Sequence, residues 1–283
     1  MNSGSHTNCC LIGGDLRQFY LAEKLKQSGC QVFPFRVPNL PSHYSLTEAI
    51  SLSDILILPI PYSKDKKTIP TNSESIPIGN VINQLKQHII FGGCFHKDFI
   101  EKCKTSGSIV CDYMKDPTFE LKNSIATAEG TIAEAIIHSN GNIQNSNCLV
   151  LGYGNCGTAI ARALSGLSGS VTVCARSTWQ QAMAYCNRYQ VIDFYQLAEH
   201  LPEFDFIFNT VPALVLTKDL LEKVRKDTTI IDIASKPGGT DFEACENLDI
   251  SAHLCLGLPG KYSPKTSADI IYQSICSRMA EMR

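Results

Sequence analysis

The stretch Cys148-Leu-Val-Leu-Gly-Tyr-Gly-Asn-Cys-Gly-Thr-Ala-Ile-Ala-Arg-Ala-Leu164 joins an apolar run to Gly152, Gly154 and Gly157, and then to helix-forming residues. No other feature constrains the chain as strongly. In a strand–turn–helix unit the first glycine permits a tight turn and the second lets a pyrophosphate approach the backbone. The third lets helix and strand pack closely. The first helical turn, with Asn155 and Cys156, then points its amide groups at the phosphates. Glycine triplets also arise by chance in loops, so the motif carries weight only inside a parallel sheet.

Such a sheet is written in both halves, as apolar runs separated by helical patterns. Strand candidates begin at Asn8 and recur at Gln31 to Phe35, Asp54 to Ile60, His88 to Phe91 and Ser108 to Asp112. In the second half they are Asn147 to Leu151, Ser170 to Cys174, Phe204 to Phe208, Thr229 to Ile233 and Ala252 to Leu256. Between them, Gln18 to Gln27, Ala159 to Leu167 and Thr217 to Lys226 read as helices. Tyr62 to Gly79 is rich in Lys, Pro, Ser and Thr and reads as a long surface loop. Leu121 to Ser139 has the period of a connecting helix. The expected fold class is α/β, with two doubly wound domains flanking a cleft. The second is a Rossmann dinucleotide-binding domain, and a C-terminal helix packs back on the first. The expected boundaries are a flavodoxin-like substrate domain over residues 1–125, a helix and linker over 126–145, the Rossmann domain over 146–262, and the returning helix over 263–283.

Composition excludes several other classes. Over 283 residues, 44% hydrophobic and 18% charged residues are a globular balance. A formal charge of −2 offers no basic footprint for nucleic acid. No apolar run approaches the roughly 20 residues that span a bilayer, and the opening MNSGSHTN is polar without a signal-peptide core. The 13 cysteines form no Cys-x-x-Cys pair. They read as buried, reduced thiols of a cytoplasmic chain, and no metal site is expected.

The coenzyme is addressed where an acidic residue about 20 positions past the motif would bind two ribose hydroxyls of NAD. Arg176 and Ser177 stand there instead. A guanidinium and a hydroxyl suit a 2′-phosphate, which favours NADP; an arginine that only stacks on adenine would leave NAD admissible. Further along, Asn209-Thr210-Val211-Pro212 leaves its strand where a nicotinamide ribose would lie. Ala234 and Gly257 follow the next two strands, in loops rich in Gly, Pro and polar groups. Lys261 and Lys265 in the last loop are candidate carboxylate binders, or a proton donor.

Taken together, Ile12-Gly-Gly-Asp-Leu-Arg-Gln18, Ala126-Thr-Ala-Glu-Gly130, Leu149-Val-Leu-Gly-Tyr-Gly154, Asp232-Ile-Ala-Ser235, Pro237-Gly-Gly239 and Gly257-Leu-Pro-Gly-Lys261 closely resemble the family of dipicolinate synthase A subunits over nearly the whole chain. The resemblance implies a spore-forming bacterium, the cytoplasm of the mother cell, and oxidation of a dihydrodipicolinate to dipicolinate alongside a flavoprotein-like B subunit. It also implies the two-domain fold of 2-hydroxyacid and alanine dehydrogenases, and leaves self-association open. Losing a hydride and a proton aromatises such a substrate, so the protein mainly needs two carboxylate anchors and one base. Candidate anchors are Arg17, Lys261, Lys265 and Thr266, with Asp15 and Thr131 in the same substrate-binding set. Candidate bases are Glu129, His96 and Asp15. The Arg, Glu and His trio of 2-hydroxyacid dehydrogenases cannot be placed, which argues against plain keto-acid reduction. Two alternatives stand: a non-catalytic nucleotide-binding regulatory protein, and a shikimate-dehydrogenase-like oxidoreductase suggested by Arg176-Ser-Thr178 and Asn209 to Pro212.

Overall fold

A computed structural model describes residues 7–282 of the chain. The polar opening segment therefore lies outside the described residues, apart from Thr7 and Asn8. Two compact units emerge: one from residues up to 123 together with those from 263 onward, the other from residues 124 to 262.

The first unit opens with β1 (Asn8–Ile12), α1 (Leu16–Gln27), β2 (Gln31–Phe35), α2 (Leu46–Ser51) and β3 (Ile55–Ile57). A small antiparallel pair, β4 (Thr68–Ile69) and β5 (Ile76–Pro77), precedes α3 (Ile78–Ile82), β6 (Ile89–Gly92), α4 (Lys97–Thr105) and β7 (Ile109–Asp112). The main sheet is parallel, in the order β2-β1-β3-β6-β7. A strand covered on both faces must be apolar throughout, and Cys9 to Ile12 are buried without interruption. Cys10 and Ile12 face a layer with Ala49, Val81 and Phe99, while Cys9 and Leu11 face Leu21, Leu25, Ala268, Ile271 and Ile275. The last three belong to the C-terminal helix (Pro264–Glu281), which packs on α1 with Lys24 2.7 Å from Asp269.

The second unit begins within α5 (Pro117–His138), which starts in the first. It continues with β8 (Asn147–Leu151), α6 (Asn155–Gly166), β9 (Ser170–Cys174), α7 (Thr178–Cys186), β10 (Gln190–Ile192), α8 (Leu197–His200), β11 (Phe206–Asn209) and α9 (Lys218–Leu221). β12 (Thr229–Asp232), α10 (Phe242–Asn247), β13 (Ser251–Leu254) and α11 (Leu258–Tyr262) complete it, and the C-terminal helix is α12. Its parallel sheet runs β10-β9-β8-β11-β12-β13. That is the Rossmann order, with the reversal of strand order beside β8 where a dinucleotide binds.

Several elements differ from the sequence expectation. Tyr62 to Gly79 is no plain surface loop: Tyr62, Ile69 and Ile76 are buried in the first core layer, and the Gly14 amide donates to the Pro70 carbonyl at 2.8 Å. The segment caps the end of β1. The expected helix from Thr217 contracts to the four residues of α9. The strand expected over Asp54 to Ile60 stops at Ile57, just before the Pro59 and Pro61 that lack amide donors.

Candidate functional site

The glycine triplet lies where β8 turns into α6. Gly152 has φ +87°, a conformation costly for any residue with a Cβ. A Cβ there would come within 2.6 Å of the Thr210 hydroxyl, and one on Gly157 would strike the Gly152 carbonyl. These two glycines serve packing. Gly154 is different: a Cβ would meet nothing within 4 Å. It is the N-cap of α6, and no side chain caps the turn. An open approach to an uncapped helix N-terminus fits a pyrophosphate, which needs backbone amides and the positive end of the helix dipole. The residues present therefore fit the dinucleotide that the motif implies. Asn155, Cys156 and Gly157 form the first turn, as expected.

The walls of this turn come from the neighbouring strands. Thr210 ties β11 to β8, its amide and hydroxyl both donating to the Leu151 carbonyl at 3.0 and 2.8 Å. Asn209 is fully buried and clasps the next peptide, accepting from the Val211 amide at 3.1 Å and donating to its carbonyl at 3.2 Å. Its role is to set the turn that carries Val211 and Pro212, and its amide is spent on that task. Asp232, at the end of β12, accepts from the Ala234 amide (2.9 Å), the Gly239 amide (3.0 Å) and the Thr240 hydroxyl (2.7 Å). This carboxylate was not among the expected site residues, yet it fixes the loop that holds Ala234. Arg176 and Ser177 follow β9, both exposed, and no ion pair engages Arg176 among the described residues.

The loop after β13 carries Gly257, at φ +71°, and leads into α11. Gly130 on α5 lies against it, since a Cβ there would come within 2.8 Å of the Leu258 Cβ. Lys261 is not a free cation: its Nζ lies 2.6 Å from Oε1 of Glu134, a buried carboxylate on α5. Burial works to raise the Glu134 pKa, but the Lys261 hydrogen bond and charge outweigh it and hold the group below its ordinary value. His138 adds a contact at 3.4 Å to the same carboxylate, and its ring stacks on that of His253 with centroids 3.7 Å apart. The sequence reading missed Glu134; its i,i+4 spacing to His138 was the one available signal. Thr131 is fully buried and donates its hydroxyl to the Thr127 carbonyl at 2.7 Å, so the helix backbone occupies it. Glu129 is exposed in the fourth turn of α5, not near the start of that helix.

In the first unit the Gly13-Gly14 turn resembles a phosphate loop only in sequence. A Cβ on Gly13 would strike the Pro70 carbonyl, and one on Gly14 would lie 2.7 Å from Gln18. Protein fills both positions. Asp15 caps α1, accepting from the Arg17 amide at 3.0 Å, and grips the Arg17 guanidinium through Nε (2.9 Å) and Nη2 (2.8 Å). Nη2 also donates to the Ile60 carbonyl at 2.5 Å. Burial pushes the Asp15 pKa up, but the Arg17 hydrogen bonds and charge overcome it and leave the carboxyl below its usual range. Arg17 is thus a buried, ion-paired group and not a free cation. His96, the N-cap of α4, meets the Tyr62 hydroxyl through Nδ1 at 3.0 Å. Lys265 and Thr266 are exposed in the first turn of α12. Among the described residues no group of three or more His, Cys, Asp or Glu side chains forms a metal site, and no helix is long and apolar enough to cross a membrane.

Comparison with known proteins agrees with this architecture. Residues 8–114 match the family model of the N-terminal domain of the dipicolinate synthase A subunit, and residues 122–235 match that of the D-isomer specific 2-hydroxyacid dehydrogenase NAD binding domain. The chain is 29% identical to the A subunit of dipicolinate synthase from Bacillus subtilis (strain 168), over 96% of each chain. Among solved structures, the dipicolinate synthase A subunit from Bacillus halodurans superposes with a TM-score of 0.87 at 30% identity, covering 97% of this chain and 98% of that one. Its Bacillus subtilis counterpart gives a TM-score of 0.86 at 28% identity, covering 98% and 97%. With its Rossmann unit and its open glycine turn, the chain belongs to the family of dipicolinate synthase A subunits.

Proposed function

We propose that the protein oxidises a dihydrodipicolinate to dipicolinate with NADP, acting beside a flavoprotein-like B subunit in the cytoplasm of a sporulating cell. Family membership supports the substrate and the partner. The single observation that carries the coenzyme reading is the open space at Gly154 between two packed glycines. When bound, the nicotinamide supplies the hydride acceptor. The chain then has three tasks: to seat the coenzyme, to anchor two carboxylates and to take a proton. Backbone amides at the start of α6 would hold the pyrophosphate, and the exposed Arg176 guanidinium, which no ion pair engages among the described residues, would neutralise a 2′-phosphate. For the carboxylates the candidates are the exposed Lys265 and Thr266, with Lys261 and Arg17 able to serve only where a substrate carboxylate shares or displaces Glu134 or Asp15. Of the candidate bases we favour His96, whose ring is held by the Tyr62 hydroxyl 3.0 Å from Nδ1; in the tautomer that carries its proton on Nδ1, Nε2 would be the nitrogen that takes the substrate proton. Glu129 is exposed.

The test is direct. Purified protein is mixed with NADP or NAD and freshly generated dihydrodipicolinate, with and without the B subunit, while pyridine absorbance is followed. Coenzyme-dependent pyridine formation supports the reading. Pyridine formation by the B subunit that is indifferent to coenzyme would leave this chain a regulatory role.

A further inference from the structure

In the second unit the loop after β13 brings Lys261 to a carboxylate that has a second partner waiting. Glu134 has 6% of its side chain exposed, whereas Lys261 has 57%. The Lys261 Nζ donates to Oε1 of Glu134 at 2.6 Å, and the His138 Nε2 lies 3.4 Å from the other oxygen, Oε2. The His138 ring stacks on that of His253, whose Nε2 is 3.0 Å from the Ser251 hydroxyl. On the lysine side, Nζ lies 4.9 Å from the centroid of the Tyr262 ring. Two further acidic neighbours are out of play. Burial, with the charge of Glu134, pushes the Cys255 thiol up to about 11, so it stays neutral. Asp232 is spent on the loop that follows it.

We propose that Glu134 is a positioning residue that holds Lys261 until a carboxylate of the substrate takes the ammonium from it, whereupon a proton taken up by His138 gives Glu134 its replacement partner; this rests on the dicarboxylate substrate proposed above. Removing one partner of a buried ion pair leaves an uncompensated charge, which is far costlier than losing an exposed pair. Lys261, on its flexible four-carbon stem, can therefore turn to a ligand only if Glu134 gains a proton or another cation. His138 stands beside the second carboxylate oxygen, and histidine is the side chain whose charge changes between about pH 5 and 8. His253 does not compete for that proton. Burial first, and then the charge of His138, hold its pKa below the ordinary value, so its neutral ring stacks on the one that charges. The exchange balances. Before it, Lys261 and Glu134 cancel each other. After it, Lys261 pairs with the ligand carboxylate and protonated His138 with Glu134. The proton comes from solvent, one N–H bond forms on His138, and the ligand stays an anion throughout.

Dipicolinate, the product of the proposed reaction, is titrated calorimetrically into the full chain with NADP present, from pH 8 to pH 6. Each titration is run in two buffers of different ionisation enthalpy, so that the difference in heat counts protons. Binding to the wild type should take up a proton, and affinity should rise by up to about tenfold per pH unit as pH falls. Lys261→Met should weaken binding by about tenfold or more at pH 6. His138→Gln should abolish the proton uptake and flatten the pH profile. Glu134→Gln removes the competing carboxylate, so it should bind dipicolinate more tightly than wild type at pH 8 and without proton uptake, a gain that a purely structural role would not produce. Wild-type binding with no proton uptake would overturn the proposal and leave the dicarboxylate reading standing, whereas no binding in any arm would overturn both. Uptake that survives His138→Gln would place the proton elsewhere and also overturn it. The wild-type proton count decides the matter even if a variant folds poorly.

Discussion

Arg176 and Arg17 show what a single residue reveals in the sequence and what it conceals. Arg176 is proposed as the coenzyme selector on a local count from Gly157 to the end of the next strand, where it is exposed. Replacing it with Ala should weaken NADP binding by about tenfold or more, from the loss of a charge-assisted contact of roughly 1.5–3 kcal/mol. NAD binding should change little. Isothermal titration with both coenzymes checks this, and equal losses would mean that the guanidinium only stacks on adenine. Arg17 was legible as a cation but not in its commitments: its ion pair is with Asp15, two residues away, and its hold on the Ile60 carbonyl joins residues 43 apart in the chain. The consequence differs from that of a free anchor. Arg17→Met should lower stability by about 1 kcal/mol, a modest value because Asp15 is nearly half exposed, and should also depress kcat/KM without moving the NADP affinity. Unchanged kcat/KM with a lowered melting temperature would confine Arg17 to holding Asp15.

At the scale of elements, two glycine turns of similar sequence do different work, and substitution separates them. Gly154→Val adds a side chain to open space, so the fold should stand while NADP and NAD binding both collapse. Gly157→Ala drives a methyl into the Gly152 carbonyl, and Gly13→Ala drives one into the Pro70 carbonyl. Both should lower the melting temperature, in line with the roughly 1–3 kcal/mol that overpacking costs. Gly13→Ala should leave coenzyme affinity untouched. Thermal melts with and without coenzyme separate the cases; a Gly154→Val protein that binds coenzyme normally would remove the cradle. The alternation of apolar runs and helical patterns made both main sheets readable, since that signal lies within each run. The segment around Ile69 and Ile76 was not readable, because its two short strands pair only with each other and its burial depends on β1 and the α3 layer. Asp232 escaped for a similar reason: its three donors, two backbone amides and the Thr240 hydroxyl, come from the loop that follows it, and no periodicity marks such a carboxylate.

For the whole molecule, stability below neutrality should fall in two separate windows. In the second unit the His253 pKa is held below its ordinary 6.5, first by burial and then by the charge of stacked His138. The unfolded chain therefore binds a proton near pH 6.5 that the folded chain resists. Stability from this source is present above pH 6.5 and lost as pH falls through the depressed folded value. Carboxylates act lower down. Glu134, with an ordinary value of 4.5, and Asp15 in the first unit, with 3.8, both titrate lower when folded. Each contributes stability above its ordinary value that disappears as pH falls through the folded one. Urea unfolding midpoints measured from pH 8 to 3 should thus show a first decline below about 6.5 and a second, steeper one below about 4.5. His253→Asn should flatten the first and leave the second. Glu134→Gln should do the reverse: its deficit relative to wild type, present at neutral pH because Lys261 loses its partner, should shrink toward zero in acid. Parallel curves for wild type and both variants would show that neither group couples protonation to folding.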